Sequence, residues 1–317
     1  FEVQMLSAMD AARAIGADLN PLDFWSLDQD FDTLHVWGFD SVHSNLVDWA
    51  AKHGKNVVLS ALLPYPSLIT AARYRASCLI GPGKVLRPML KNLTVLTVVN
   101  DQQANYAEKI LSFPRDRIKV IPNIIDNIFF DRSQLLEKTQ SLEKNRVICT
   151  GNICMRKNQL NLVLACKQVG IPVLLLGGVL PGEEAYAAKV EKEVSNYSGG
   201  SWIKHLPPNS PELVAAYQSS LIFALPSFNE TQPISALEAA ATGLPILLAD
   251  RPYAHQKIYE STMLVNPKSV KSISSGLRNI LASPSEFSVD PALLETFRRT
   301  SVGRLYVDAY KLGQDQE

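Results

Sequence analysis

The chain has 317 residues, of which 46% are hydrophobic and 20% charged, a balance that suits a packed protein of two domains and argues against disorder. Its 31 basic and 31 acidic side chains cancel, so bulk charge argues against a nucleic-acid binder and leaves only local basic patches to consider. No apolar run reaches the ~20 residues of a bilayer span, and no signal peptide is read at the start.

Cys78, Cys149, Cys154 and Cys166 form no Cys-x-x-Cys pair and have no His cluster beside them. They read as buried or incidental thiols of a reducing cytoplasm, not as structural zinc ligands. Residues 1–15 carry the pattern of an amphipathic helix. An α/β domain places a strand and a turn before its first helix, so the sequence is expected to begin after that strand. Strands are predicted at 33–37, 56–61, 95–99 and 118–121, where β-branched and apolar residues cluster. Helices are predicted at 41–53, with Gly54 as the stop, and at 101–111.

Asp28, Asp30 and Asp32 alternate ahead of the first of these strands. That spacing could hold a metal, but a solvated acidic turn is the preferred reading, and no metal is expected. Arg73, Arg75, Lys84, Arg87 and Lys91 lie among Leu, Ile, Pro and Tyr residues. Such a segment could touch the surface of an anionic membrane, though an ordinary solvated face is preferred.

The chain turns polar over 131–144, which reads as a linker. Beyond it the alternation restarts, with strands at 147–150, 173–176, 202–204, 221–225 and 245–249, and helices at 158–169, 181–194 and 233–242. Strand and helix in strict turn predict parallel sheets, and the fold class is α/β with two Rossmann-like domains. The expected division is 1–143, 144–297 and a terminal helix over 298–317. A dinucleotide-binding domain shares the alternation but needs Gly-x-Gly-x-x-Gly after its first strand. Gly177-Gly178-Val179-Leu180-Pro181-Gly182 has the wrong spacing, and Gly81-Pro82-Gly83-Lys84 has Val85 where a phosphate loop needs a hydroxyl. Both read as plain turns.

The most informative stretch is 225–247, Leu-Pro-Ser-Phe-Asn-Glu-Thr-Gln-Pro-Ile-Ser-Ala-Leu-Glu-Ala-Ala-Ala-Thr-Gly-Leu-Pro-Ile-Leu. Pro233 suits the first helical position, and Gly243 suits the stop. The free N–H groups of Ile234 and Ser235 would then favour an anion at the carboxyl edge of the sheet. Glu230 and Glu238 flank that point. Carboxylates beside a phosphate site suggest a ligand with both phosphate and hydroxyl groups; a surface Glu and a helix Glu placed by chance is an equally open reading of the residues alone.

Glu230 and Glu238, seven residues between them and followed by Ala-Ala-Ala-Thr-Gly-Leu-Pro-Ile-Leu, resemble the Glu-x7-Glu signature of family-4 retaining glycosyltransferases. The resemblance implies the GT-B fold, in which an acceptor domain and a donor domain face each other across a cleft. It implies that Glu230 lies by the transferred sugar and that Glu238 holds the ribose, with Thr231, Gln232, Pro233, Ile234 and Ser235 around the donor. Residues 147–159, Val-Ile-Cys-Thr-Gly-Asn-Ile-Cys-Met-Arg-Lys-Asn-Gln, are similar to the family's phosphate loop. Gly151 and Lys157 match it, Arg156 stands next to Lys157, and Asn152 replaces a phosphate-binding Arg. Asn152 can donate a hydrogen bond but brings no charge.

Residues 120–126, Val-Ile-Pro-Asn-Ile-Ile-Asp, resemble the segment that closes the family's first domain, with Ile124 in place of Gly. Residues 32–37, Asp-Thr-Leu-His-Val-Trp, make His35 the acceptor-side candidate, although a lone His is more often a satisfied interior residue. The family's other sugar-side His is absent, since Ala61 and Leu62 hold its place. The expected reaction moves a sugar from a UDP-, GDP- or ADP-linked donor to a carbohydrate, lipid or small-molecule acceptor, without a cofactor. The rival reading is a non-catalytic sugar-nucleotide-binding scaffold with a degenerate site. A third is an epimerase or inverting enzyme on the same fold.

Overall fold

The computed structural model describes residues 2–23, 25, 30–131 and 145–312. They form two compact units, Phe1–Ile124 with Arg299–Glu317 and Ile125–Arg298. Sequence patterning sets these boundaries at 143–144 and 297–298, and most of its linker, 132–144, lies outside the described residues.

The first unit holds a parallel sheet in the order β1-β2-β3-β4, made of Thr33–Trp37, Asn56–Ser60, Val95–Val98 and Ile118–Val120. These strands lie within one residue of the predicted ends. The central strands β2 and β3 read as near-continuous apolar runs because both faces of the sheet are covered there, whereas the edge strand β1 alternates buried Leu34 and Val36 with half-buried Thr33, His35 and Trp37. One face packs on Val47, Ala50, Met89, Leu90, Ala104 and Ala107. The other carries Val58, Val95 and Ile121 against Ala8, Ala11, Val302 and Tyr306. The latter face is roofed by the helices Glu2–Arg13 and Arg299–Lys311. They approach so closely that a Cβ at Gly303 would meet the Ala11 carbonyl at 2.5 Å.

Two helices stand where sequence patterning shows none, Leu68–Ile80 and Gly83–Lys91. Gly81-Pro82-Gly83-Lys84 is the junction between them: Gly81 caps the first, and a side chain at Gly83 would strike Cys78. The predicted helix at 41–53 begins as a tight Ser41–His43 turn, because Asp40 accepts from the Val42 N–H at 3.0 Å, and continues as Ser44–Lys52.

The second unit is a six-stranded parallel sheet in the order β10-β9-β8-β5-β6-β7. The strands are β5 Val147–Thr150, β6 Val173–Leu176, β7 Gly200–Ile203, β8 Ile222–Leu225, β9 Ile246–Ala249 and β10 Met263–Val265. From β5 the chain builds outward through β6 and β7, then returns to β8 on the other side of β5. Direction therefore reverses between β5 and β8. Loops leaving the carboxyl ends of two such strands part from each other, and a crevice opens there in open α/β sheets.

Candidate functional site

The reversal point is lined by the loops that follow β5 and β8. Gly151 turns the chain at φ +124°, and its N–H donates to the Leu176 carbonyl at 2.8 Å. The Ile153 N–H donates to the Gly178 carbonyl at 2.8 Å, so the loop after β5 runs beside the loop after β6. Gly177 has φ +141°, and a Cβ there would run into the Gly151 carbonyl. A side chain at Gly151 would in turn meet Lys157 Cε at 2.9 Å. Two bare backbones thus make the space in which Lys157 lies.

Met155–Lys157 form a tight turn that ends at Asn158 in the left-handed region, φ 62°. The buried Asn158 amide donates to the Pro226 carbonyl at 3.1 Å and the Pro267 carbonyl at 2.8 Å. It staples the β5 loop to the loops after β8 and β10. The Arg156 carbonyl accepts from the Phe228 N–H at 2.8 Å and from the Ser227 hydroxyl at 2.9 Å.

These bonds bring three groups onto one carboxylate oxygen. Glu230 Oε1 lies 3.1 Å from Lys157 Nζ, 2.7 Å from Arg156 Nη1 and 3.0 Å from the Ser227 hydroxyl. The Lys157 and Glu230 side chains are each only 12% exposed, so water screens their charges weakly. Two cations on one carboxylate leave a net positive site.

Beside it the helix Ile234–Ala241 starts from Pro233, with no side-chain cap. The Ala236 N–H turns back to the Pro233 carbonyl at 3.1 Å, leaving the Ile234 and Ser235 amides as the opening of the helix. Gln256 fixes the approach: its amide donates to the Thr231 carbonyl at 2.8 Å and accepts from the Gln232 amide at 3.0 Å.

Glu238 sits one turn into this helix and accepts from the Tyr217 hydroxyl at 2.7 Å. The same hydroxyl lies 2.7 Å from Thr150 Oγ1, tying Glu238 to the end of β5. Burial pushes the Glu238 carboxyl up to about 7; the Tyr217 hydrogen bond opposes the rise, and the Asp126 carboxylate adds to it.

The structure thus gathers Gly151, Arg156, Lys157, Glu230, Thr231, Gln232, Pro233, Ile234, Ser235 and Glu238 on one sheet edge. Asn152 is exposed, and its carbonyl accepts from Gln159 at 3.0 Å. Asn158, Tyr217 and Gln256 are structural partners that sequence patterning leaves unassigned. Asn158 stands next to a motif residue, whereas Tyr217 and Gln256 carry no local signal.

His35 belongs to the first unit. Its Nδ1 lies 2.9 Å from the Tyr310 hydroxyl and its Nε2 2.8 Å from Ser60 Oγ. Burial pushes the imidazole down to about 3, so it is neutral, with both nitrogens engaged. This is the geometry of a satisfied interior histidine. Asp30 pairs with Lys55 at 2.9 Å, while Asp28 lies outside the described residues. Among the described residues no group of three or more His, Cys, Asp or Glu is placed to hold a metal ion. The four thiols are free, and no described helix is long and apolar enough to cross a membrane.

The model for the family "Glycosyl transferases group 1" matches residues 131–291, half of the chain. The O-antigen chain mannosyltransferase RfbU of Salmonella typhimurium is 25% identical over 197 residues, covering 62% of this chain and 52% of that protein. The D-inositol 3-phosphate glycosyltransferase of Corynebacterium efficiens is 48% identical over 48 residues, covering 15% and 11%. The matched part therefore spans about half of the first relative, 52%, and a small part of the second, 11%. Among solved structures, the sucrose-phosphate synthase of Thermosynechococcus elongatus superposes with a TM-score of 0.64 at 20% identity, covering 90% of this chain and 72% of that one. A UDP-forming trehalose-phosphate synthase from Burkholderia xenovorans gives 0.70 at 12% identity, covering 97% and 78%. Anabaena Alr3699/HepE, in complex with UDP-glucose, gives 0.62 at 13% identity, covering 89% and 76%.

Proposed function

Because this chain belongs to the group 1 glycosyl transferases and has the parallel-sheet units of the GT-B class, we propose that it transfers a sugar from a nucleoside diphosphate sugar to an acceptor hydroxyl with retention of anomeric configuration. The observation that carries this reading is the convergence of Lys157 and Arg156 on Glu230 at the reversal point, beside an open helix N-terminus. A diphosphate entering there would take over the two cations and the Ile234 and Ser235 amides. Glu230, released from them, would accept hydrogen bonds from the sugar hydroxyls, and Glu238 would accept those of the ribose.

As the bond from the anomeric carbon to the leaving phosphate breaks, negative charge builds on the diphosphate. Lys157 and Arg156, once transferred from Glu230, and the helix amides would face that charge, and we read the reaction as metal-independent on that ground. The acceptor oxygen would bond to the anomeric carbon from the same face, passing its proton to a departing phosphate oxygen. The mannosyltransferase and inositol-phosphate glycosyltransferase relatives, and the UDP-glucose held by the Anabaena protein, support a nucleotide-sugar donor and a role in polysaccharide, glycolipid or glycoconjugate synthesis. Four unpaired thiols suit a reducing compartment, and we place the protein in the cytoplasm.

The test is calorimetry with UDP, GDP, ADP and their sugars, followed by donor hydrolysis and product-anomer analysis. One nucleotide series should bind, and Lys157→Ala should lower turnover by about 10²–10³ with a smaller loss of affinity. Binding without any turnover would support the scaffold reading. An inverted product would overturn retention, and binding of no nucleotide would overturn the whole assignment.

A further inference from the structure

We propose that the helix Leu68–Ile80, with the cations around it, seats this chain on the surface of an anionic lipid bilayer. The helix is properly begun, by a reciprocal cap between Ser67 and Thr70, yet none of its 13 residues is buried. Its apolar side chains face outward. Leu68, Ile69, Leu79 and Ile80 are 91%, 65%, 71% and 88% exposed, and Ala72 and Ala76 are exposed beside them. At 3.6 residues per turn these six share an arc of about 120°, and Arg75 and Arg73 stand about 20° beyond its two edges. Thr70 and Ser77 lie on the opposite side, bonded to the Tyr65 carbonyl at 2.9 Å and the Tyr74 carbonyl at 2.7 Å. The helix is inside-out for a water-soluble surface.

Charge names the occupant. From Trp49 to Asn100 the chain has no Asp or Glu, but it carries Lys52, Lys55, Arg73, Arg75, Lys84, Arg87 and Lys91. Arg73, Arg75, Lys84, Arg87 and Lys91 are all exposed, and among the described residues none of these five forms an ion pair. An apolar stripe rimmed by unpaired cations complements hydrocarbon beneath a layer of anionic headgroups. A second copy of the chain would set like charges against each other. The inner side of the same helix, with Thr70, Arg73, Tyr74 and Ser77, walls a cavity of about 640 Å³ that Asp40 also lines, at the carboxyl ends of β1 and β2, so Arg73 borders both the cavity and the stripe. Docking would hold that cavity about one helix diameter, ~10 Å, from the headgroups.

Vesicle flotation of the 317-residue chain tests this, with phosphatidylcholine alone and with phosphatidylcholine mixed with phosphatidylglycerol. The chain should float with the mixed vesicles only, and salt should release it. Arg75→Gln, Lys84→Gln and Lys91→Gln combined should cut partitioning about a hundredfold, at about fivefold per cation. Leu79→Ser with Ile80→Ser should also abolish flotation while leaving nucleotide binding and the melting temperature unchanged, which separates lost docking from misfolding. Equal flotation with both vesicle types, or with neither, overturns the proposal. So does a dimer in light scattering that the Leu79→Ser, Ile80→Ser variant loses, since a second copy would then cover the stripe.

Discussion

Glu238→Gln separates the effect of one buried proton from the effect of one ligand contact. The carboxyl rises from its ordinary 4.5 to about 7, chiefly through burial. The folded unit therefore holds this proton more tightly than the unfolded chain. A folded value raised in this way contributes stability that is fully present below 4.5 and lost as pH climbs through 7. The whole window corresponds to about 3 kcal/mol, and the half-buried position of the side chain reduces the realistic figure to about 1–3 kcal/mol. Gln keeps the shape and still accepts from Tyr217, but it does not titrate. Urea midpoints should accordingly fall from about pH 5 to about pH 8 for the native chain and stay level for the variant. If Glu238 meets the ribose as proposed, nucleotide affinity should move the opposite way, the variant losing about 1–3 kcal/mol because a neutral amide replaces the carboxylate. Native affinity should also improve across the same window as the carboxylate forms. Parallel stability curves for the two proteins would refute the buried-proton argument, and unchanged affinity for UDP, GDP and ADP would remove Glu238 from the ribose.

Asn158→Ala should cost about 2–4 kcal/mol in urea denaturation, because it deletes two buried hydrogen bonds and leaves a Cβ residue in the left-handed region. Asn158→Gly, which accepts that backbone, should cost less. Gly177→Ala should lower both stability, by about 2 kcal/mol or more, and diphosphate affinity in calorimetry, since the displaced Gly151 carries the backbone under Lys157. Asn152→Arg, at an exposed position in the loop after β5 where we propose the diphosphate binds, should raise affinity for a nucleoside diphosphate but not for the nucleoside, by about fivefold or more.

The strands were legible because parallel strands covered on both faces leave unbroken apolar runs, and β1, β5 and β6 fall at their predicted ends. The helix Leu68–Ile80 was not, since Ala71, Tyr74 and Cys78 on one side and Leu68, Ile69, Leu79 and Ile80 on the other spread apolar residues around it and blur the period. Pro88 inside Gly83–Lys91 hid its neighbour, as an interior proline argues against a helix. Also unassigned from sequence were the short Pro211–Gln218 and Met263–Val265, and Val270–Ala282, although Ile273, Leu277 and Ile280 of the latter do recur at helical spacing. At the site, the carboxylates and Lys157 stood out through motif and charge. Tyr217 and Gln256 reach theirs from 21 and 25 residues away along the chain, through single hydrogen bonds to Glu238 and Thr231 that leave no periodic trace.

The helix Arg299–Lys311 has a consequence for the order of assembly. It supplies Val302, Tyr306 and Ala309 to the interior of a unit whose described strands end at Val120. A nascent chain emerging from the ribosome through Arg298 would hold every described residue of the second unit, while in the first Val58, Val95 and Ile121 lacked the half of their cover that Val302, Tyr306 and Ala309 supply, and the Nδ1 of His35 lacked Tyr310. Vectorial synthesis ordinarily completes the N-terminal domain first. Here every residue of the second unit is made before the first receives Arg299–Lys311, which follows an insertion of 174 residues, Ile125–Arg298. Removing that helix should therefore leave an intact second unit attached to an aggregation-prone first one, with the damage appearing in the unit that holds the earliest residues of the sequence.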